Sequence, residues 1–304
     1  MVDELLPNVL IAGVTKAGTT SLFWYLAQHP DICAATKKEI NYFSPLRYGD
    51  RPEHDLDYYA QHFAHWSGER YRLEASPLYF YGGAELTGAV GRVLSKPKVI
   101  ISLRDPVDRL WSAYRYKVLQ GALGPSVDFQ AFFEHCLELR KSGADVLPEN
   151  DVYRALSIGR YIDSLHDWFD VHDDRVRIVF FDALATAPQA AVEELCRWLD
   201  IDSAIAHKLD YGVSQKTLKP RSRLLHQGAR VVADSVDRLF GLNRHRKLKG
   251  ALRGVYLRIN ASSRVEQFSP EDRRRVADLY AQSSQLLAEE LSIRGYRNLP
   301  AWLR

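Results

Sequence analysis

One stretch near the start of the chain, VLIAGVTKAGTTSL at Val9–Leu22, constrains the fold more than any other. Its first four residues form an apolar run typical of a buried strand, and Gly13 ends that run. Thr20, Ser21 and the apolar spacing of Leu22–Leu26 then predict a helix. A strand, a glycine-containing turn and a helix N-terminus suit an anion, because the first N–H groups of a helix have no intrahelical partner and the helix dipole is positive there.

The two glycines of this turn, Gly13 and Gly18, have the G-x-x-x-x-G separation of a nucleotide-binding P-loop. In an ATP-type loop the second glycine is followed by Lys and then Ser or Thr. Here Thr19 and Thr20 follow it, and the lysine comes earlier, at Lys16. The turn therefore offers a lysine and two hydroxyls to an anion, without an evident metal ligand. A glycine turn that only packs is the less favoured alternative.

Further apolar runs alternate with helical patterns along the chain. The strands that they predict are Tyr71–Ala75, Lys98–Leu103 and Arg175–Phe181. The helices that they predict are Pro106–Val118, a pattern across Tyr153–Trp168, Pro188–Leu199 and a last helix capped by Ser269. This alternation predicts an α/β fold, a P-loop-like parallel sheet with helices on both faces and a helical C-terminal region, in a single domain over residues 1–304. Because ligands bind beyond the carboxyl ends of parallel strands, we expect Gly13, Glu74 and Arg104 at one rim.

The composition is that of an ordinary globular chain, with 304 residues, 46% hydrophobic and 26% charged. The three cysteines have no metal-like spacing, which favours a reducing compartment. We see no secretory signal and no apolar run of 18 residues, so we expect a cytoplasmic protein.

A basic segment, Ser214–Arg264, carries 13 Lys and Arg against two Asp, although the whole chain has a formal net charge of +3. Its apolar residues recur at helical spacing and predict two basic amphipathic helices, within a helical cap over residues 214–304. Such helices are more often a solvated cover than a binding face, and the alternative is contact with an acidic acceptor or an anionic membrane. We expect no nucleic-acid partner, because the rest of the chain is acidic and no nucleic-acid motif occurs.

Three segments occur in order along the chain: TKAGTTSL at Thr15–Leu22, KEINYF at Lys38–Phe43 and SLRDPVDRLWSAY at Ser102–Tyr114. With them the sequence resembles the sulfotransferases that use 3′-phosphoadenosine 5′-phosphosulfate (PAPS), most closely the branch with heparan sulfate and bacterial carbohydrate sulfotransferases. The resemblance covers roughly Pro7–Leu199. It implies in-line transfer of a sulfuryl group from PAPS to a hydroxyl or amine of a glycan, glycolipid or secondary metabolite, without a metal, because the leaving group is a stable phosphate.

The resemblance also implies two anion sites for PAPS. The glycine loop would hold the 5′-phosphosulfate through Lys16, Ala17, Gly18, Thr19, Thr20 and Ser21, with Lys16 neutralising charge on the bridging oxygen. The 3′-phosphate ligands would be Arg104 and Ser112. Further candidate contacts to the nucleotide are Arg160, in the segment Gly159–Tyr161, and two residues of a covering loop, Lys219 and Arg221.

A glutamate is the implied base. Glu39 stands where this branch carries its catalytic glutamate, and we expect Lys38 to supply charge or bind the acceptor while Ile40, Tyr42 and Phe43 desolvate the carboxylate. The alternative is a surface ion pair with a neighbouring lysine.

Other candidate groups lie near these motifs. Glu74, in LEASPLYF, is a second carboxylate at the rim, and we expect it to bind the acceptor or assist catalysis. Related sugar enzymes often have a lysine where Ala75 stands. The substrate contact of that lysine is therefore not carried over to this chain. Cytosolic small-molecule sulfotransferases use a histidine as base, but His29 before Pro30 reads as a helix C-terminal cap.

Two competing functions remain open at this point. One is a P-loop kinase-like phosphotransferase, for which Asp182 is the candidate Mg²⁺ ligand after a strand. The other is a basic module that binds a membrane surface through Ser214–Arg264. The acceptor and the oligomeric state do not follow from the sequence.

Overall fold

The computed structural model describes residues 2–124, 127–212 and 268–304. These residues form two compact units. The first contains the described parts of Met1–Arg109, Ser157–Gln215 and Val276–Arg304, and the second those of Leu110–Leu156 and Lys216–Arg275. The single domain stays a prediction. The basic segment Ser214–Arg264, with its two predicted helices, Lys219 and Arg221, lies outside the described residues.

The first unit is built on a five-stranded sheet in the order β2-β3-β1-β4-β5, in which every pairing is parallel. The strands are β1 Val9–Gly13, β2 Ile32–Ala34, β3 Tyr71–Ala75, β4 Lys98–Leu103 and β5 Val176–Phe180. The predicted bounds of β3 and β4 are confirmed. The predicted fifth strand is one residue too long at each end, and β2 was not predicted, because three residues are too few to show a period.

The central strand β1 fixes the register of the sheet. Val9 lies opposite Leu73 of β3 and opposite Lys98 of β4, and all five residues of β1 are buried. Because the strands are parallel, their carboxyl ends meet at one rim. The segments that follow Gly13, Ala75 and Leu103 therefore leave the sheet side by side, as the sequence predicts.

Helices cover both faces of this sheet. The helices of both units, numbered along the chain, are α1 Val2–Leu5, α2 Thr19–Leu26, α3 Leu56–Ala60, α4 Gly83–Val93, α5 Pro106–Gln120, α6 Phe129–Ser142, α7 Tyr161–His172, α8 Phe181–Thr186, α9 Pro188–Leu199 and α10 Pro270–Ile293. On one face α4, α7 and α10 pack on Leu10, Val99 and Ile178. On the other, α2 and α9 pack on Ile11 and Leu73. The predicted layers are confirmed.

Two predicted helix starts can be compared with the structure. The last helix begins as predicted: the hydroxyl of Ser269 accepts a hydrogen bond from Asp272 N–H at 3.0 Å. The helix predicted across Tyr153–Trp168 begins only at Tyr161. Gly159 lies two residues before this helix and is packed so tightly on the ring of Tyr280 that a side chain would collide with it. The glycine therefore allows the turn before the helix to approach Tyr280 closely.

The second unit has an aromatic core of its own. Tyr114, Phe129 and Phe132 are buried, with ring centroids 5.5 Å and 5.4 Å from that of Tyr114. Helix α6 is capped by Asp128, whose carboxylate accepts from Ala131 N–H at 2.8 Å.

Candidate active site

The glycine loop connects β1 to α2, and both of its glycines are required by their surroundings. A β-carbon on Gly13 would lie 2.6 Å from that of Phe80, and one on Gly18 would lie 2.9 Å from the ring of Phe181. Gly18 also has a φ of 79°, in the left-handed region, where it caps α2. The turn is therefore shaped by close packing at two points.

The end of the neighbouring strand β4 holds this loop in place. Val14 N–H donates to Ser102 O at 2.9 Å, and the buried hydroxyl of Ser102 donates to Ala17 O at 2.6 Å. One residue after the strand, Arg104 donates through Nη1 to Lys16 O at 3.2 Å. The structure thus brings the two candidate anion sites, the glycine loop and Arg104, into direct contact.

The candidate loop residues differ in exposure. Ala17 and Thr19 are buried, whereas Lys16, Thr20 and Ser21 are half-buried. The hydrogen bond from Leu22 N–H to Gly18 O, at 3.0 Å, opens the backbone ladder of α2. A helix N-terminus of this kind favours an anion, because its first N–H groups can donate to the anion and the helix dipole is positive there.

Arg104 is half-buried, and two aromatic residues contact it, Phe181 and Tyr161. Its guanidinium carbon lies 4.6 Å from the centre of the Phe181 ring, and Tyr161 Oη donates to its carbonyl at 2.7 Å. Burial lowers the pKa of Arg104, and the negative charges of Asp108 and Asp105 oppose that effect. The side chain still carries a full charge at neutral pH, as a phosphate ligand must.

Two further candidate ligands of the nucleotide are placed differently. Arg160 pairs with Asp163, with 2.7 Å between Nε and Oδ2, next to the tyrosine that contacts Arg104. Ser112 is half-buried on α5 and belongs to the second unit.

Glu39 lies in the Lys38–Phe43 loop, whose backbone lies beside the end of β3 and is hydrogen-bonded to it through Glu39 N–H and Ala75 O. Its Oε1 accepts from the ammonium of Lys38 at 2.6 Å. The Glu39 side chain is 54% exposed and that of Lys38 13% exposed. The expected desolvation of the carboxylate by Ile40, Tyr42 and Phe43 is therefore wrong, because their buried faces pack inward while the carboxylate stays at the surface.

Glu74 is fully buried, unlike Glu39. Tyr59 Oη donates to its Oε2 at 2.9 Å, and Ser76 Oγ makes a very short hydrogen bond to its Oε1. Burial raises the pKa of Glu74 to about 7, against the lowering effect of hydrogen bonds from Ser76, Tyr59 and Tyr79 and of the Lys38 charge. This position argues against direct contact with an acceptor.

His29 has a structural place. It is buried, its Nδ1 accepts from Asp31 N–H at 3.1 Å, and its Nε2 donates to Asp202 O at 3.0 Å. Helix α2 ends at Leu26, so His29 joins two loops and does not cap the helix.

Sequence reasoning missed three residues of this site: Phe181, Tyr161 and Ser102. Phe181 was placed inside a strand, yet it begins α8 and sits between Gly18 and Arg104. Their positions in the sequence could have indicated them, because each lies at the end of a predicted strand or in one of the family-like segments.

The described ranges contain no cluster of three or more His, Cys, Asp or Glu side chains arranged to bind a metal ion. Nor does any helix within them have the length and apolar character needed to cross a bilayer.

The fold and this site define a class: a P-loop-like α/β protein with two adjoining candidate anion sites at the rim of a parallel sheet. The family model for the sulfotransferase domain matches residues 6–222. The chain belongs to the sulfotransferase family, which uses PAPS as its sulfate donor.

Relatives of known name agree with this membership. The membrane-associated sulfotransferase kil1 of Dictyostelium discoideum is 33% identical over 135 residues, which are 43% of this chain and 27% of that protein. Human bifunctional heparan sulfate N-deacetylase/N-sulfotransferase 2 is 28% identical, over 65% of this chain and 22% of that protein. Human heparan sulfate glucosamine 3-O-sulfotransferase 5 is 25% identical, over 67% and 56%. The chain thus spans about a quarter of the length of the first two.

The fold is also that of a solved sulfotransferase. The crystal structure of a sulfotransferase from Alicyclobacillus acidocaldarius superposes with a TM-score of 0.69 at 23% identity, covering 98% of this chain and 99% of the other.

Proposed function

We propose that this chain transfers the sulfuryl group of PAPS to a hydroxyl or amine of a glycan, glycolipid or secondary metabolite. The observation that carries the proposal is the hydrogen bond from Arg104 to the carbonyl of Lys16. It joins a guanidinium suited to a terminal phosphate with a helix N-terminus suited to a second anion, and PAPS is anionic at both ends of its nucleoside.

The residues present fit that donor. Lys16, Ala17, Gly18, Thr19, Thr20 and Ser21 would hold the 5′-phosphosulfate, and Arg104 the 3′-phosphate. Ser112, in the second unit, stays a sequence-based candidate for the 3′-phosphate. When bound, PAPS supplies the sulfuryl group and a phosphate leaving group. Lys16 would neutralise charge that grows on the bridging oxygen, and the first-turn N–H groups of α2 would stabilise the non-bridging oxygens. Arg160 is a candidate for a further phosphate contact, which would require its ion pair with Asp163 to break.

Glu39 is the proposed base. The Lys38 ammonium holds its Oε1, and no described residue hydrogen-bonds its Oε2. Oε2 would accept the proton of the acceptor as that group attacks sulfur, while Lys38 supplies positive charge beside the carboxylate or contacts the acceptor. A half-exposed carboxylate suits an acceptor that approaches from solvent.

The acceptor class is drawn from the relatives. Two of them are named for heparan sulfate, so a glycan is the first choice. A membrane contact of the basic segment, the cytoplasmic location and the absence of a nucleic-acid partner stay predictions. Family membership favours sulfuryl over phosphoryl transfer. The kinase candidate Asp182 instead accepts a hydrogen bond from Trp302 Nε1 at 3.3 Å.

The first experiment tests the donor. Adenosine 3′,5′-bisphosphate should raise the melting temperature of the chain, and ATP with Mg²⁺ should not. A screen with ³⁵S-labelled PAPS against desulfated heparan sulfate, glycolipids and phenols then identifies the acceptor. Stabilisation by ATP–Mg²⁺ alone would reject the proposal.

The second experiment tests the base. Glu39→Gln should lower kcat by about 10²–10⁴-fold, because glutamine cannot accept the proton, and should leave the affinity for adenosine 3′,5′-bisphosphate unchanged. Glu194→Gln is the matched control, since Glu194 is 57% exposed and also paired, with Arg177. A Glu39→Gln enzyme as active as this control would exclude Glu39 as the base.

A further inference from the structure

The loop that carries Glu39 has an unfavourable backbone. Glu39 has a φ of 62° and Asn41 a φ of 59°, both in the left-handed region that L-residues with a side chain rarely occupy. Such residues persist only where their surroundings fix them, and they concentrate at functional sites. The contacts that fix this loop are therefore of interest.

Three alternate amides of the loop donate to the last residue of β3 and to the segment that follows it. Glu39 N–H donates to Ala75 O at 2.9 Å, and Asn41 N–H to Ser76 Oγ at 3.0 Å. Phe43 N–H donates to Tyr79 Oη at 3.4 Å. One acceptor is a backbone carbonyl, but the other two are side-chain hydroxyls, whose orientation depends on where their own protons go.

The proton of the Ser76 hydroxyl goes to Glu74, because this hydroxyl donates to Glu74 Oε1. A hydroxyl that donates to a carboxylate keeps its lone pairs for an incoming N–H group. Tyr59 donates to the remaining oxygen, Oε2, and is stacked on Tyr42 of the loop with 4.6 Å between ring centroids. The buried carboxylate thus fixes the Ser76 hydroxyl, which accepts from the amide of Asn41, and through Tyr59 it reaches the Tyr42 ring of the same loop.

We propose that Glu74 is a positioning residue for the base: through Ser76 it holds the left-handed Lys38–Phe43 loop and so aims the Glu39 carboxylate. The inference rests on the proposed function, because the aim of Glu39 matters only if Glu39 takes the proton. It assigns Glu74 a place behind the reacting groups, without contact to the acceptor.

The test compares hydroxyls that hold the loop with a hydroxyl that does not. Ser76→Ala and Tyr79→Phe each remove the acceptor of one loop amide, and each should lower kcat by about 10–100-fold, since a displacement of about 1 Å can cost as much. The affinity for adenosine 3′,5′-bisphosphate should change less than about twofold.

A control separates positioning from a loss of buried hydrogen bonds in general. Thr87→Val removes a fully buried hydroxyl that donates to Gly83 O at 2.9 Å on α4. Its kcat should stay within about threefold of the wild-type value. If Ser76→Ala loses no more than this control, the inference is wrong.

A double-mutant cycle then identifies the group through which the loop contacts act. In the Glu39→Gln background, Ser76→Ala should cause no further loss, because the residual rate no longer uses the carboxylate. A loss of the same factor in both backgrounds would show a general structural effect and overturn the inference. A Glu39→Gln enzyme with normal kcat would instead refute the base of the proposed function, and the inference would fall with it.

Discussion

The buried carboxyl of Glu74 should make the stability of this chain depend on pH, and Glu74→Gln should remove that dependence. Burial disfavours the charged form, so the folded chain holds the Glu74 proton up to a pH of about 7, whereas the unfolded chain releases it near the ordinary value of 4.5. Between these values the folded state binds more protons than the unfolded state. The free energy of unfolding must therefore fall as the pH rises.

The size of the effect follows from the two pKa values. Each pKa unit corresponds to about 1.4 kcal/mol, so the shift from 4.5 to about 7 is worth on the order of 3 kcal/mol. This contribution is fully present below pH 4.5 and is lost once the pH passes 7. Glutamine has nearly the same shape and does not titrate. Its mismatched amide adds a cost that is the same at every pH, and Tyr59, Tyr79 and Lys38 are present in both proteins.

Urea unfolding followed by tryptophan fluorescence measures this difference. The free energy of unfolding of the wild type minus that of Glu74→Gln should fall by about 3 kcal/mol between pH 4.5 and 7.5. The same difference for Glu194→Gln, an exposed glutamate, should stay nearly flat. A flat difference for Glu74→Gln would show that its carboxyl does not titrate in this range. A rising one would show that hydrogen bonds and the Lys38 charge outweigh burial, which refutes the reasoning.

Two further predictions concern the donor site. Lys16→Ala should lower kcat by a factor that corresponds to about 2–4 kcal/mol, because a charge that stabilises the leaving group is lost, while the melting temperature stays unchanged; a near-normal rate would remove Lys16 from the mechanism. Arg104→Ala should weaken binding of adenosine 3′,5′-bisphosphate more than binding of AMP, by roughly 2 kcal/mol in calorimetry, because AMP lacks the 3′-phosphate. Equal losses for both nucleotides would make Arg104 structural.

Much of the sheet could be predicted because its signals are local. The strands β3 and β4 are short apolar runs, stopped by Ser76-Pro77 and by Arg104-Asp105-Pro106, and their observed bounds agree. The glycine loop is also a local pattern, and its place between β1 and α2 follows from a few residues. In β2, three residues show no period, so the edge of the sheet could not be predicted.

The environment of the site could not be predicted, because it depends on contacts between distant segments. Phe181 meets Gly18 and Arg104 only once β5 and β1 lie in one sheet. The apolar neighbours of Glu39 suggested a buried carboxylate, yet the buried one is Glu74, which Tyr59 reaches from a helix that precedes β3. Sequence neighbours of a carboxylate do not set its burial when the loop backbone turns its side chain outward.

The two proposed reacting side chains, Lys16 and Glu39, share a backbone feature that bears on how the site works. Both residues are left-handed, with φ values of 69° and 62°. A left-handed residue with a side chain costs roughly 1–2 kcal/mol, so hydrogen bonds from neighbouring strands must hold both conformations. For Lys16 these include the bond from Arg104 to its carbonyl, and for Glu39 the bond from its own N–H to Ala75 O. Because β1 lies between β3 and β4, the sheet itself sets the separation of the two side chains. We therefore expect kcat to respond more strongly to lost backbone contacts at this rim than to changes in the apolar layers beneath it.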